Sequence, residues 1–411
     1  METPRMIDSI FFATFSLYKN GRRMAVNGMI TQMLWYFLPR TKRFLLLDQP
    51  CPESNPLHPV VELYKDGKLS RKGVISPLFY LPLYVLCKLQ NTDKTHVSFK
   101  LRDLFSVFHA GFWTREPYDL FIGMEAINTI AGLLLKKLGK VKRVVYYVSE
   151  YSPRRYGQTF FNAVYIWMDQ LCVRYADATW DTTPSILEGR KEAGLPQELA
   201  HKVVDVPNGV FPWQIRIQPI AKRMPDSIVF MGILTSDMGA DLAIRALSLL
   251  RKKRPKSVLH IIGGQREDIV PLRKLAIKLG IGQSVIFHGF LDPKKEMTDI
   301  MSHCMVGIAP YRNIAYSRRR YGDPGKIRQY HACGLAVVTT PVTWYGRYIA
   351  KVGGGVLAKD TPGDLTKKIA DLLSNRKKYQ AMAHTAANIG RANTWEKTYQ
   401  NAVRALNAHL S

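Results

Sequence analysis

Two hydrophobic patterns alternate along the chain. Short apolar runs rich in Val, Ile, Phe and Tyr predict strands, and stretches whose apolar residues recur every three or four positions predict the helices between them. In the first half the runs predict strands at Ser9 to Thr14, Phe44 to Asp48, Asp119 to Gly123, Arg143 to Val148, Ala178 to Thr182 and Val203 to Pro207, with helices over Ala126 to Leu138 and Gln158 to Arg174. Residues 51 to 117 carry no clear period.

After a polar stretch around Pro219 to Asp226 a second series begins, with strands at Ile228 to Gly232, Val258 to Gly263, Val285 to Gly289, Val306 to Pro310, Ala336 to Thr340 and Gly355 to Leu357. Helices fit between them at Ala240 to Arg251, Val270 to Leu279, Lys294 to Met301, Gly325 to Cys333 and Gly363 to Leu373. Strand and helix in alternation is the signature of βαβ units and hence of parallel sheets. The expectation is an α/β chain of two Rossmann-like, doubly wound domains facing a cleft: 1–218, then 226–390, with a helix over 391–411 returning to the first domain. In such sheets ligands lie beyond the carboxyl ends of the strands, so the chemistry belongs in the loops that follow them.

A length of 411 residues suits two such domains, and 46% apolar with 22% charged residues excludes disordered, collagen-like and disulfide-scaffold chains. The charge changes the picture more. The chain carries 59 Lys and Arg against 32 Asp and Glu; up to residue 222 the counts are 29 and 19, beyond it 30 and 13, so both halves are basic. Such a field attracts polyanions: nucleic acid, anionic headgroups or diphosphate-bearing small molecules. The five cysteines are odd in number, scattered and without a C-x-x-C pair, which favours a reducing compartment over a zinc site or disulfides. The N-terminal METPRMIDSIFFATFSLYKNG holds acidic residues and only a short apolar run, so it is expected to supply a first strand and not an export signal.

Two apolar segments sit beside cations. Val74 to Leu89 (VISPLFYLPLYVLCKL) is broken by Pro77, Pro82 and Lys88, short of the roughly 20 apolar residues of a spanning helix. Either it is a buried core helix or it lies in the headgroup zone of an anionic membrane, as does Met33 to Leu38 (MLWYFL), which precedes Arg40, Lys42 and Arg43.

In the second half, three loops follow strands with residues suited to a nucleotide: Gly232-Ile233-Leu234-Thr235, Gly263-Gly264-Gln265 and His288-Gly289-Phe290-Leu291. Glycine admits a ligand close to the backbone, and the apolar neighbour can cover a base; glycine after a strand is also ordinary turn chemistry. Tyr311 ends GIAPY, and beyond Arg318, Arg319 and Arg320 stands DPGKIRQYHACGLAVVTTPV. Here Pro324 and Gly325 open a helix, Lys326 falls in its first turn and Gln329 one turn along the same face. A helix N-terminus with a lysine is a site for a diphosphate, the free amides and the ammonium acting together. A solvated lysine and a partly buried glutamine are the plain alternative.

These segments, together with IVFMGILTSDMGADLAIRALSLL, LHIIGG and VIFHGF, resemble the donor-binding domain of GT-B glycosyltransferases of family 4, and the K-x-x-Q-Y arrangement is similar to that of the related xanthan-type glucuronosyltransferases. ADATWDTTPSILEGRKEAG and VVDVPNGV resemble the segment ahead of the interdomain linker. The resemblance implies that Lys326 contacts a donor diphosphate, that Gln329 and Tyr311 contact the nucleotide sugar, and that Leu234, Phe290 and Leu291 cover the base, with Gly232, Gly263 and Asp323 in the same site. Two departures stand out. Where family 4 carries an Arg and, five residues on, a Lys, this chain has Ile233 and Met238; where it carries two glutamates, this chain has Tyr321 and Gln329.

An inverting transferase needs a base beside the acceptor hydroxyl. Glu150, just after the strand Arg143 to Val148, is the candidate, since xanthan-type enzymes hold an aspartate at this strand-loop position. Glu125, at the start of a helix, either caps it or binds an acceptor hydroxyl. Gly21, Arg22 and Arg23 occupy the loop that GT-B enzymes present to donor or acceptor. The expected activity is therefore a hexosyl- or glucuronosyltransferase, with UDP as the candidate nucleotide. It would move sugar from a nucleoside diphosphate donor to a lipid-linked or growing saccharide in polysaccharide or glycoconjugate synthesis. The place expected is the cytoplasmic face of a membrane, peripherally bound to its anionic surface. This expectation requires no metal and no cofactor, the nucleotide sugar being a substrate. A nucleic-acid-binding protein and a non-catalytic relative of the transferases are the rivals; the first lacks a zinc-finger or RNP-like signature.

Overall fold

The computed structural model describes residues 7–24, 28–89, 97–292 and 295–408. The chain divides into two compact units, one of the residues up to Val206 together with those from Tyr399 onward, the other Pro207–Thr398.

In the first unit lie β1 (Ser9–Lys19), β2 (Arg22–Met24), β3 (Arg43–Pro50), β4 (Val60–Lys65), β5 (Lys68–Val74), β6 (Tyr118–Met124), β7 (Val141–Val148), β8 (Ala178–Asp181) and β9 (Val203–Asp205). They form one sheet in the order β5-β4-β3-β1-β6-β7-β8-β9, with β2 paired to β1. From β3 to β9 the pairs are parallel, and all of these strands but the short edge strand β9 are buried along most of their length, as strands covered by helices on both faces are. The helices are α1 (Ile30–Phe37), α2 (Leu81–Leu89), α3 (Val97–Gly111), α4 (Glu125–Lys137), α5 (Phe160–Tyr175) and α6 (Pro184–Glu192).

The stretch without a clear period holds α2, α3 and the hairpin β4–β5, which extends the sheet antiparallel to β3. Its turn, Asp66-Gly67, takes positive φ at both residues, as does Asn20-Gly21 between β1 and β2; these are the backbone values of two-residue hairpin turns.

The second unit holds β10 (Ser227–Met231), β11 (Val258–Ile262), β12 (Val285–Gly289), β13 (Val306–Ala309), β14 (Ala336–Thr339) and β15 (Gly355–Leu357), all parallel in the order β12-β11-β10-β13-β14-β15. Chain order reverses between β10 and β13, and a crevice opens at such a switch point. Its helices are α7 (Ala240–Arg251), α8 (Arg266–Lys278), α9 (Glu296–His303), α10 (Gly325–Ala332), α11 (Trp344–Lys351), α12 (Pro362–Ser374) and α13 (Arg376–Ala392). The expected helix start at Lys294 lies outside the described residues.

Residues 207–218 belong with this unit and not with the first, because their backbone bonds go there. Val210 N–H donates to the Asn393 carbonyl at 3.0 Å and Arg216 N–H to the Ala332 carbonyl at 3.0 Å. The last helix, α14 (Trp395–Ala408), changes unit at Tyr399, whose ring lies 5.4 Å from those of Tyr36 and Phe37. Its expected end at Leu410 lies outside the described residues.

The two apolar segments separate. Met33, Tyr36 and Phe37 of the first are core, whereas Val74 to Leu89 buries only Ile75, Tyr80 and Cys87 and leaves most of its apolar side chains exposed, so the core reading does not hold for it. Among the described residues no helix is long and apolar enough to cross a membrane. All five cysteines are free thiols.

Candidate functional site

Three glycine loops meet at the carboxyl edge of the second sheet. Gly263 N–H donates to the Gly289 carbonyl at 2.6 Å, and Gly232 N–H to the Ile262 carbonyl at 2.9 Å. A Cβ on Gly263 would lie 2.2 Å from the Gly232 carbonyl oxygen, and Gly263 has a φ of +113°, so no other residue fits. Leu234 packs over Gly264, where a Cβ would come within 2.3 Å of its Cδ1. Leu291 is half-buried against the core, while the Phe290 ring stands exposed beside it.

Helix α10 brings Lys326 into this edge. Its position is fixed by Tyr330, whose hydroxyl donates to the Ile308 carbonyl at 3.1 Å and accepts from Met231 N–H at 2.8 Å, pinning the helix to the ends of β13 and β10. Lys326 is buried, with its Nζ 4.1 Å from the centroid of the Phe230 ring and 5.1 Å from that of Tyr311. A Cβ built on Gly232 would lie 3.4 Å from that nitrogen. Among the described residues the ammonium has no hydrogen-bond partner, and neither does the buried Oε1 of Gln329 one turn on. Burial, helped by the neighbouring Arg319 and opposed by Asp237, lowers the Lys326 pKa from 10.5 to about 7. A buried cation left unpaired beside an amide oxygen left unpaired, at a helix start and against glycine backbone, is a cradle that an anion with hydroxyl groups would complete.

Tyr311 is buried, and desolvation pushes its phenol well above the ordinary range, so it stays neutral. Asp323 is engaged within the unit. Its carboxylate accepts from Arg328 Nε at 2.6 Å and Nη2 at 2.9 Å and from Asn208 N–H at 2.8 Å, so it fastens the start of α10 to the segment after β9.

The departures from the family pattern have a structural counterpart. Met238 is core and Ile233 points to solvent, while Tyr321 is buried. Two arginines from the loop after β13 pair nearby: Arg319 donates to Asp237 at 2.9 Å, and Arg312 reaches Asp241 and, at 3.0 Å, the Ser236 carbonyl. Arg319 and Asp237, both acting electrostatically on Lys326, were not singled out by the sequence; the only signal was the arginine triplet at 318–320.

In the first unit, Glu150 follows β7 and is half-buried. Glu125 follows β6 but does not cap α4: Met124 is the cap residue, without a side-chain bond, and Glu125 itself takes a φ of +68°. Its carboxylate accepts from Arg155 at 3.4 Å. A non-glycine residue held there stores strain of the kind found at binding sites. Gly21 and Arg22 form the exposed tip of the β1–β2 hairpin. Arg23 turns back, donating to Asp48 at 2.6 Å and to Glu62 at 3.3 Å. Burial raises the Asp48 pKa, and the Arg23 charge counters it, so the cation is spent inside the unit.

Residues 213–389 match the family described as Glycosyl transferases group 1. A glycosyltransferase of Methanocaldococcus jannaschii whose role is uncharacterized is 24% identical over 173 residues, 42% of this chain and 42% of that protein, so the match spans less than half of the relative. Among solved structures, sucrose-phosphate synthase from Thermosynechococcus elongatus is 13% identical with a TM-score of 0.69 over 96% of this chain and 97% of that one. Anabaena HepE in complex with UDP is 15% identical with a TM-score of 0.67, covering 97% of this chain and 100% of that chain. Likeness at this level establishes the GT-B fold.

Proposed function

We propose, from a chain of GT-B fold whose residues 213–389 match the group 1 glycosyl transferases, that the protein is a glycosyltransferase using a UDP-sugar, with a lipid-linked or growing saccharide as acceptor. The observation that carries the reading is Lys326, a buried and unpartnered ammonium at the start of α10 against the Gly232 backbone. The Anabaena neighbour holds UDP, which supports the same nucleotide here.

The roles are assigned residue by residue. The diphosphate takes the α10 amides and the Lys326 ammonium, and Gln329 Oε1 accepts from a sugar or ribose hydroxyl. Leu234 and Phe290 supply apolar cover for the base, with Leu291 behind them. Glu150 takes the proton of the acceptor hydroxyl. The freed oxygen attacks the anomeric carbon from the face opposite the nucleotide, the bond from that carbon to the diphosphate oxygen breaks, and the departing negative charge is met by Lys326. This is an inverting hexosyl or glucuronosyl transfer that needs no metal to balance the leaving charge. Acceptor contacts are assigned to Glu125, Gly21 and Arg22, and the site of action to the cytoplasmic face of a membrane, in the assembly of a polysaccharide or glycoconjugate.

Glu150→Gln tests the base. It should lower kcat by at least about tenfold, equivalent to roughly 1.4 kcal/mol of barrier, with UDP affinity unchanged. A smaller loss moves the base elsewhere, Glu125 being the next carboxylate to replace.

A further inference from the structure

The helix α3 carries apolar side chains on its outer face as well as its inner one. Its buried side holds Ser98, Arg102 and Ser106 beside Phe99 and Val107, while Val97, Leu101, Phe105 and Phe112 are exposed. The first three fall four residues apart along one stripe of the helix, and Phe112 follows its last residue, Gly111. The polar groups inside are satisfied: Arg102 donates to the Pro50 carbonyl at 2.7 Å, and Ser106 to the Arg102 carbonyl at 2.7 Å. Next to α3 the turn Pro77–Tyr80 and α2 leave Leu78 at 78%, Phe79 at 67% and Leu89 at 75% exposure, with Leu81, Val85 and Leu86 also exposed. Exposing this much apolar surface in neighbouring elements marks a contact face.

Between the two elements opens a cavity of about 520 Å³ lined by Phe79, Tyr80, Phe105, Phe108, Phe112 and Trp113, with Arg71 at its edge. The Arg71 guanidinium lies 4.4 Å from the Trp113 ring centroid, and the Phe79 and His109 rings are 4.6 Å apart. Lys88 of α2, Lys100 of α3 and, in β5, Lys68, Arg71 and Lys72 are exposed, Lys72 pairing with Glu62 at 2.9 Å. From Lys68 to Leu101 the sequence has six basic residues and one acidic, Asp93.

We infer that the face made by Pro77–Leu89 and α3 docks on an anionic lipid bilayer. Phe79, Phe105 and Phe112 enter the boundary between headgroups and chains, the cavity takes a hydrocarbon chain, and the lysines and Arg71 meet the anionic headgroups. Charge selects this occupant. A second copy paired face to face would set these cations against their own counterparts, and nucleic acid would leave the aromatic stripe in water. The inference deepens the proposed function and rests on its membrane-borne acceptor, though not on its donor chemistry.

The test is co-sedimentation of the full chain with vesicles of phosphatidylcholine alone or with roughly one third phosphatidylglycerol, at low and high salt. The wild type should pellet with the anionic vesicles and less so at high salt. Leu78→Ser/Phe79→Ser and Phe105→Ser/Phe112→Ser should each lower the partition by about tenfold or more, and Lys68→Gln/Lys88→Gln/Lys100→Gln should remove the preference for anionic vesicles. Circular dichroism and the urea midpoint should match the wild type in all of them, which shows that they fold, and UDP binding by calorimetry should be unchanged, which separates this inference from the donor reading. Wild type left in the supernatant at low salt overturns the inference, and so do apolar variants that pellet as the wild type does. A dimer in sedimentation velocity that the apolar variants abolish also overturns it, assigning the face to a second copy.

Discussion

Replacing Lys326 by Met keeps the length of the side chain and removes its charge. In the free protein the pKa of this lysine is about 7 against 10.5 for an ordinary lysine. The difference, about 3.5 units at 1.36 kcal/mol each, amounts to roughly 5 kcal/mol at low pH and about 4 kcal/mol at pH 7, an upper bound on the folding free energy forgone to hold the group in place. Because the folded pKa lies below the unfolded one, the unfolded chain binds more protons between about pH 7 and 10.5, so this contribution makes the wild type more stable as pH rises through that window. Lys326→Met should therefore be more stable in urea at pH 7, and its advantage should shrink toward pH 10.

The same substitution should weaken UDP by about ten- to a hundredfold, the worth of a charge-assisted hydrogen bond of roughly 1.5–3 kcal/mol. A diphosphate restores the charged form, so wild type should take up nearly one proton on binding UDP at pH 8 and almost none at pH 6. Titration calorimetry at pH 8 in buffers of different ionisation enthalpy reads that proton directly. Uptake that is absent at pH 8, or that persists in Lys326→Met, would refute the assignment of the diphosphate to this lysine.

Gly263→Ala places a methyl 2.2 Å from the Gly232 carbonyl oxygen at a φ of +113°; it should cost several kcal/mol by about the strain of such sites and displace the glycine loops, lowering both urea midpoint and UDP affinity. Arg190, fully buried, holds Asp169 at 2.8 Å and also pairs with Asp181, so Arg190→Met should destabilise the first unit by about 3–5 kcal/mol in urea unfolding, because it strands two buried carboxyl groups.

The parallel strands were legible because they are buried on both faces and read as unbroken apolar runs; β1, β7, β10 and β11 fall where those runs stand. The hairpin β4–β5 was not, since it is an edge pair whose β5 is exposed along almost its whole length and carries Lys68, Arg71 and Lys72, so it lacks an apolar signature. Its Asp66-Gly67 dipeptide was the available signal. Helix α3 escaped because apolar residues stand on both its faces, Phe99 and Val107 buried and Val97, Leu101 and Phe105 exposed, so no single stripe marks its period. In the site, Lys326 and Gln329 were legible from helix spacing, and the glycine loops from their place after strands. The pairings of Arg23 with Asp48, Arg319 with Asp237 and Arg328 with Asp323 were not, because each joins residues that the fold and not local spacing brings together, or, for the last, competes with a ligand role that the sequence left open.

The central claim is transfer from a UDP-sugar. The most direct measurement incubates the purified full chain with a panel of radiolabelled UDP-sugars and a lipid extract carrying saccharide acceptors, comparing wild type with Lys326→Met and Glu150→Gln. Label from one UDP-sugar appearing in the lipid fraction with wild type, with equimolar UDP released and both variants impaired, is the predicted result. Folded wild type that transfers no label and binds neither UDP nor any UDP-sugar would contradict the account.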